Sequence, residues 1–380
     1  MCHWRGYDNK WAGVKSLAAI TAVALLGACQ SGEHEAKYSN YLTRLGRTLG
    51  VEAPDIMAAA LPRLPRPGRL QLPLAAGNLG ALDFLAISGC AVQVTIGKRN
   101  SSLGRMARPS QRLLLELEYL RLAPECIAYQ RSQDRGELAD TLQQAWEMKR
   151  RQLPARVFNA TLGSAEYRSL WDIPAAPGPY PEGTGSQVIN ALQAIDGHAR
   201  RWLDGDYRAD NRDFELLLSE VAAGDAGALL QALARQGDWL RAANAVVSRH
   251  RAKGPLCAPG RRPAAADILP NVIRKYFVGD IQPRAAALGR RYHQLLPPVN
   301  QLESLLDPVL PAAYRDWQQR RDAALAELAA APRRHVEHLI AIQHETDVRT
   351  YQTPACGAST VKTTAGTTPF LPRSRRKQAL

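Results

Sequence analysis

The sequence predicts a mainly α protein: an irregular multi-helix bundle with proline-rich extended segments, following a lipoprotein signal peptide. Three observations predict it. Apolar residues recur at the three- and four-residue spacing of helices through most of the chain. Prolines gather in two stretches that no helix interior would carry. Near the N-terminus an apolar run behind two lysines stops at a cysteine.

That first segment has the grammar of a secretory signal. Lys10 and Lys15 precede the apolar run from Ser16 to Ala28, which closes as Leu26-Gly27-Ala28-Cys29. The run is shorter than the roughly 20 apolar residues of a membrane span. Residues 1–28 therefore read as a signal peptide, with Cys29 as the lipidated first residue of the mature chain. Several acyl chains on one cysteine hold a protein to a membrane far more firmly than one chain does. Gln30, in place of an aspartate, follows the cysteine. This predicts an outer-membrane address facing the periplasm in preference to the inner membrane.

Residues 29–77 are expected to hold the lipidated terminus, a short helix and a strap. Tyr41, Leu42, Leu45 and Leu49 share one helix face, and Pro62, Pro65, Pro67 and Pro73 make the stretch after it extended. Residues 78–340 read as a helical domain. Leu79 to Ile96 is assigned to a helix, although Val92-Gln93-Val94-Thr95-Ile96 alternates as a strand would. Pro109 opens the next helix, with Ser110 as its expected cap and Leu113, Leu117 and Leu120 on one face. Asp134 to Arg151 continues with Leu138, Leu142, Ala145 and Trp146 inward.

The prolines and glycines from Pro174 to Gly185 suggest two helical blocks divided by a loop over 172–187. Beyond it, Val188, Leu192, Ile195 and Ala199 step helically, as do Phe214, Leu217, Leu218 and Val221, then Leu229, Leu233, Leu240, Ala243 and Val247. A loop from Gly254 to Pro263 carries Cys257. Helices are expected over 264–296 and 299–330, with Pro270, Pro283 and Pro308 as breaks or kinks. Residues 341–380 lose the apolar period and read as a basic, disordered tail with no acid after Asp347.

Hydrophobic residues make up 46% of the chain, which favours a packed core over disorder, and the net charge is +14. In an envelope compartment such charge points to anionic lipid, an anionic wall polymer or an envelope protein as partner, and not to nucleic acid. With Cys2 removed and Cys29 lipidated, Cys90, Cys126, Cys257 and Cys356 remain. Four cysteines allow three pairings. The pairing preferred here is Cys90 with Cys126, leaving Cys257 with Cys356.

Chemistry-bearing motifs are sparse. The chain lacks G-x-S-x-G, G-x-x-x-x-G-K, G-x-G-x-x-G, H-E-x-x-H and C-x-x-C patterns, so no catalytic residue, cofactor or metal is assigned. Ser359 and Lys362 match S-x-x-K only in the tail. His335 and His338 would lie about 60° apart on a helix, near enough to share a metal, with His344 about 180° from His335; the reading preferred here is a solvated face. Asp204 and Asp206 flank Gly205 and read as a solvated helix end.

The stretch Lys98-Arg99-Asn100-Ser101-Ser102-Leu103-Gly104-Arg105, followed by Pro109-Ser110-Gln111-Arg112-Leu113, resembles a family of uncharacterised Gram-negative lipoproteins, domain-of-unknown-function family 3080. Tyr41-Leu42-Thr43-Arg44-Leu45, Cys126 and the stretch from Ile268 to Pro283 are similar too. The resemblance implies a lipoprotein address and a shared fold, and supplies no activity. Arg99, Asn100, Ser101, Ser102 and Arg105 form a polar turn that either satisfies helix ends or presents a surface for a polar or anionic ligand. The expected role is a non-enzymatic envelope interaction or scaffold module. The alternative is an enzyme acting on peptidoglycan or lipid.

Overall fold

A computed structural model describes residues 33–75, 87, 89–175, 180–257 and 263–344. The structure is 77% helical, and among the described residues there is no strand. The mainly α, multi-helix fold expected from the spacing is thus present.

Helix α1 (33–49) buries Tyr38, Tyr41, Leu42, Leu45 and Leu49, one apolar stripe at helical spacing. It stops at Gly50, whose φ of +61° suits a residue without a Cβ, and the Val51 amide returns to the Gly46 carbonyl at 3.0 Å. Residues 51–75 then run as a strap with one helical turn, Pro67–Leu70. Side chains of the body fasten the strap by its backbone. Trp317 Nε1 donates to the Pro62 carbonyl at 3.4 Å, and Arg168 donates to those of Leu64 and Pro65. Asn159 both accepts from the Leu72 amide at 2.9 Å and donates to its carbonyl at 3.0 Å.

Helix α2 (Val92–Asn100) begins the next layer, followed by a short helix, α3 (Ser102–Met106). Packing decides the ambiguity of 92–96: Val92, Thr95 and Ile96 are buried at helical spacing, Val92 and Ile96 against the two long helices that follow α3. The earlier part of the Leu79–Ile96 assignment lies almost wholly outside the described residues. The expected polar turn is shorter than the sequence suggests, because Arg99 and Asn100 complete α2 and only Ser101 separates it from α3.

Helices α4 (Pro109–Ser132) and α5 (Gly136–Ala160) pack as an antiparallel pair, each passing through one proline, Pro124 and Pro154. The cap expected at Ser110 is corrected. Arg108 takes the N-cap position and Pro109 the first turn, while Ser110 is buried and donates to Glu215 Oε1 at 2.7 Å.

After α6 (Ala165–Leu170) come α7 (Gln187–Leu203), α8 (Asn211–Ala222) and the long α9 (Ala226–Lys253). Then α10 (Ala264–Val272), a π-helical segment (Ile273–Ile281) and α11 (Gln282–Leu305) follow without interruption. The breaks expected here are redistributed. The break expected at Pro308 is present, as a short 3₁₀ segment, Asp307–Val309, whereas the gap expected between 296 and 299 is not: Pro297 and Pro298 lie inside α11, and Pro270 lies inside α10. Pro283 cannot donate an amide hydrogen, and the wider π register directly precedes it. Helices α12 (Ala312–Ala329) and α13 (Ala331–His344) complete the described chain.

Three apolar clusters result. The largest draws from Leu70 to Leu328 and takes residues from both sides of the 172–187 stretch. The second joins α1 to the far half of α9, the π segment and α13. A third gathers Ile87, α2, and the facing ends of α4 and α5. Helix α9 serves the first two clusters, with Leu229 and Leu233 in one and Leu240 and Val247 in the other.

Buried charge in the largest cluster is fully matched. Arg321 donates to both oxygens of Glu303, at 2.5 and 2.8 Å, and its guanidinium lies 5.0 and 4.7 Å from the centres of the Trp171 and Trp317 rings. Tyr314 and Tyr167 also donate to Glu303, at 2.6 and 3.2 Å. Every lone pair this carboxylate needs is supplied from within, so the cluster is architectural.

Candidate anion-binding site

A second buried carboxylate is arranged differently. Glu116 lies on α4 where the helix passes from the first cluster, through Leu113 and Leu117, to the third, through Tyr119. It is 2% exposed. Three cations converge on it. Arg99 Nε, from the last turn of α2, is 3.3 Å from Oε1; Arg156 Nη1, from α5, is 3.4 Å from the same oxygen; and Lys149 Nζ bonds to Oε2. Lys149 also lies 4.9 Å from the centre of the Tyr119 ring.

These groups border a cavity of about 250 Å³, lined also by Thr95, Asn100 and Arg105. A neighbouring cavity of about 280 Å³ shares Arg99, Arg156 and the strap residue Ala75, and adds Arg112 and Asn159. Five cationic side chains thus face two adjoining spaces around one carboxylate. Several of their donors lack acceptors within the protein. The Thr95 hydroxyl is 2% exposed and unpartnered, and so are the buried Nε groups of Arg156 and Arg112. Buried donors of this kind are costly unless something accepts from them.

The electrostatics follow. Burial pushes the Glu116 carboxyl up, but Lys149, Arg156 and Arg99 outweigh it and hold the group below the usual carboxylate range. Burial lowers the Lys149 amine, Glu116 opposes that, and repulsion from Arg156 and Arg99 adds to it; the net direction is down. Burial likewise raises the Tyr119 phenol, which stays neutral. The site carries an excess of positive charge in a poorly solvated space, which suits an anion with several acceptor oxygens.

Of the residues singled out from the sequence, Arg99, Asn100 and Arg105 meet at this cavity. Ser101 instead caps α3, accepting from the Gly104 amide at 3.0 Å and donating to the Lys98 carbonyl at 2.7 Å. Ser102 is exposed on the first turn of α3. Cys90 and Cys126 are joined by a disulfide, and Cys257 is disulfide-bonded too. Cys29 and Cys356 lie outside the described residues, as do the signal segment and the basic tail.

Glu116, Lys149, Arg156 and Thr95 were not anticipated. A signal existed, since Glu116 interrupts the apolar face of Leu113, Leu117 and Leu120, and Arg156 stands beside Leu153 and Val157.

The histidine reading is corrected. His335 is not on a solvated face: it is fully buried, with Nε2 2.6 Å from the Tyr41 hydroxyl and Nδ1 2.6 Å from Asn244 Oδ1. Among the described residues, no group of three or more His, Cys, Asp or Glu side chains could hold a metal. Asp206 pairs with Arg201 at 3.1 Å beyond the end of α7.

The model of a family described as a protein of unknown function (DUF3080) matches residues 38–339. The chain belongs to that family. The DUF3080 span begins at Tyr38 on α1 and ends at Leu339 on α13, both buried in the second cluster, and it includes both cavities. Neither a curated protein nor a solved structure matches the chain.

Proposed function

We propose that this DUF3080 protein is a lipid-anchored envelope protein, facing the periplasm from the outer membrane, that works by binding and not by turnover. Its helical body recognises an anionic group in the Glu116 cavities. The carrying observation is the excess of buried cations over carboxylate there, together with the unpartnered Thr95 hydroxyl and Arg156 Nε. Glu116 holds Arg99, Lys149 and Arg156 in place while the cavities are empty. A ligand carboxylate or phosphate takes up the remaining donors without removing that internal counter-ion. The lipoprotein-type segment ending at Cys29 supports the address.

Inorganic phosphate and citrate are the probes of choice. Each should raise the melting temperature of the full chain, and a ligand tenfold above its Kd stabilises by about 1.4 kcal/mol. Arg99→Ala with Arg105→Ala should remove that increment while leaving the unliganded melting temperature within a few degrees, because Arg105 is exposed, Arg99 is 32% exposed, and Glu116 keeps Lys149 and Arg156 as partners. An unchanged response to both anions in the double variant would rule the site out.

A second reading, an enzyme of the cell envelope, is favoured by one observation: the lowered Lys149 amine beside Glu116 is a basic group held in a cavity. Clearing of a peptidoglycan gel, lost in Lys149→Met, would favour it over binding alone.

A further inference from the structure

The elbow between α2 and α4 presents a second feature that the anion cavity does not use. Leu103 and Met106 are 85% and 87% exposed, the most exposed large apolar side chains among the described residues. They stand three residues apart on α3, hence on neighbouring positions of one short helix. Gly104 between them is buried, and a Cβ there would sit 2.1 Å from the Lys98 carbonyl oxygen, so the turn is pressed tightly onto the end of α2 and holds the apolar pair outward. Exposing such side chains costs solvation that ordinary surface positions avoid.

Cations flank the pair in the chain. Lys98, Arg105 and Arg108 are all exposed. Lys98 and Arg108 have only long pairs, at 3.7 Å, with Glu118 and Glu166. Exposed pairs at that distance hold little energy and release their cations readily. On its other side, Leu103 borders a shallow cleft of about 510 Å³ floored by Leu114, Leu115 and Tyr207. Apolar tips with exposed cations on either side of them in the chain, on a tight turn, match the layered chemistry of a bilayer surface: phosphates outside, acyl chains just beneath.

We propose that this elbow rests on an anionic lipid surface, with Leu103 and Met106 entering the headgroup layer and Lys98 and Arg108 on lipid phosphates. The contact needs neither the acyl chains of Cys29 nor an occupied cavity. It would orient the body so that Arg105 and Asn100, at the cavity mouth, face the headgroups.

The test is residue-resolved oxidation by hydroxyl radicals on the full chain carrying Cys29→Ala, mixed with preformed vesicles. Met106 is the reporter, and Met57, 80% exposed on the strap, is the internal control. On phosphatidylcholine vesicles containing phosphatidylglycerol, Met106 should oxidise about fivefold more slowly than in buffer, with Met57 unchanged. On pure phosphatidylcholine the protection should be absent. Lys98→Gln with Arg108→Gln should abolish protection on the anionic vesicles while leaving phosphate binding by the cavity intact, which separates this contact from the anion site. Three results would overturn it: no protection of Met106, equal protection on both vesicle types, or concentration-dependent protection without lipid, which would mark a protein–protein contact.

Discussion

His335 shows how one residue's environment sets a pH response. Burial depresses its imidazole to about 3, so the folded protein keeps it neutral. An unfolded chain protonates it near its ordinary value of 6.5. Stability from this residue is therefore complete above pH 6.5 and falls as pH drops towards 3, by up to roughly 1.4 kcal/mol per pH unit. Urea unfolding between pH 7 and 4 should show that slope, and His335→Gln should flatten it; equal slopes would mean His335 is not the titrating group. Glu116 has the same sign in a lower window. Its depressed carboxyl contributes stability above the usual carboxylate range, and that contribution is lost as acid reaches its folded value. At the matched pair, Glu303→Gln leaves the buried Arg321 with only the half-exposed Asp322, at 2.7 Å, as a charged partner, and a loss of about 3 kcal/mol in urea unfolding is expected. A loss below 1 kcal/mol would show that water reaches the site.

At the scale of elements, the α2–α3 elbow depends on a glycine and a crosslink. In Gly104→Ala the new methyl group meets the Lys98 and Arg99 carbonyl oxygens at 2.1 and 2.7 Å, backbone atoms that cannot swing aside. Faster amide exchange over 92–106 is expected, with a stability loss of about 1–3 kcal/mol; unaltered exchange would show the elbow has slack. The Cys90–Cys126 bridge spans 36 residues and ties the entry of α2 to α4. Replacing both cysteines by alanine should cost about 3–4 kcal/mol in the chain-entropy account, measured as a lower urea midpoint. The strap is the other long-range device. Its prolines make it extended, but its path over the body is set by Trp317, Arg168 and Asn159 reaching its carbonyls.

For the whole molecule, α1 is packed into the second cluster by Tyr41 and Tyr38, close in sequence to Cys29. A tether at Cys29 would then hold the body near the membrane with little slack. Cys29→Ala should abolish palmitate labelling and make membrane association salt-dependent, kept by the elbow at low ionic strength and lost at high. Retention at high salt without label would show another anchor.

Helical spacing, the proline strap and the basic balance were legible in the chain because each is local: a 3.6-residue period or a missing amide declares itself within a few residues. So was the α2–α3 turn, as a run of polar residues between apolar ones. The order of residues is enough for a mainly α body and for its family. Which charges meet depends on how the helices dock. Glu116 and Lys149 are 33 residues apart, and Tyr41 and His335 are 294 apart. A charge that interrupts an apolar face, as Glu116 and Arg156 do, hints at burial, but the local pattern does not say which charge will meet it. Helix docking decides it, because burial makes a lone charge costly and leaves only those arrangements in which an opposite charge or a ligand comes to it.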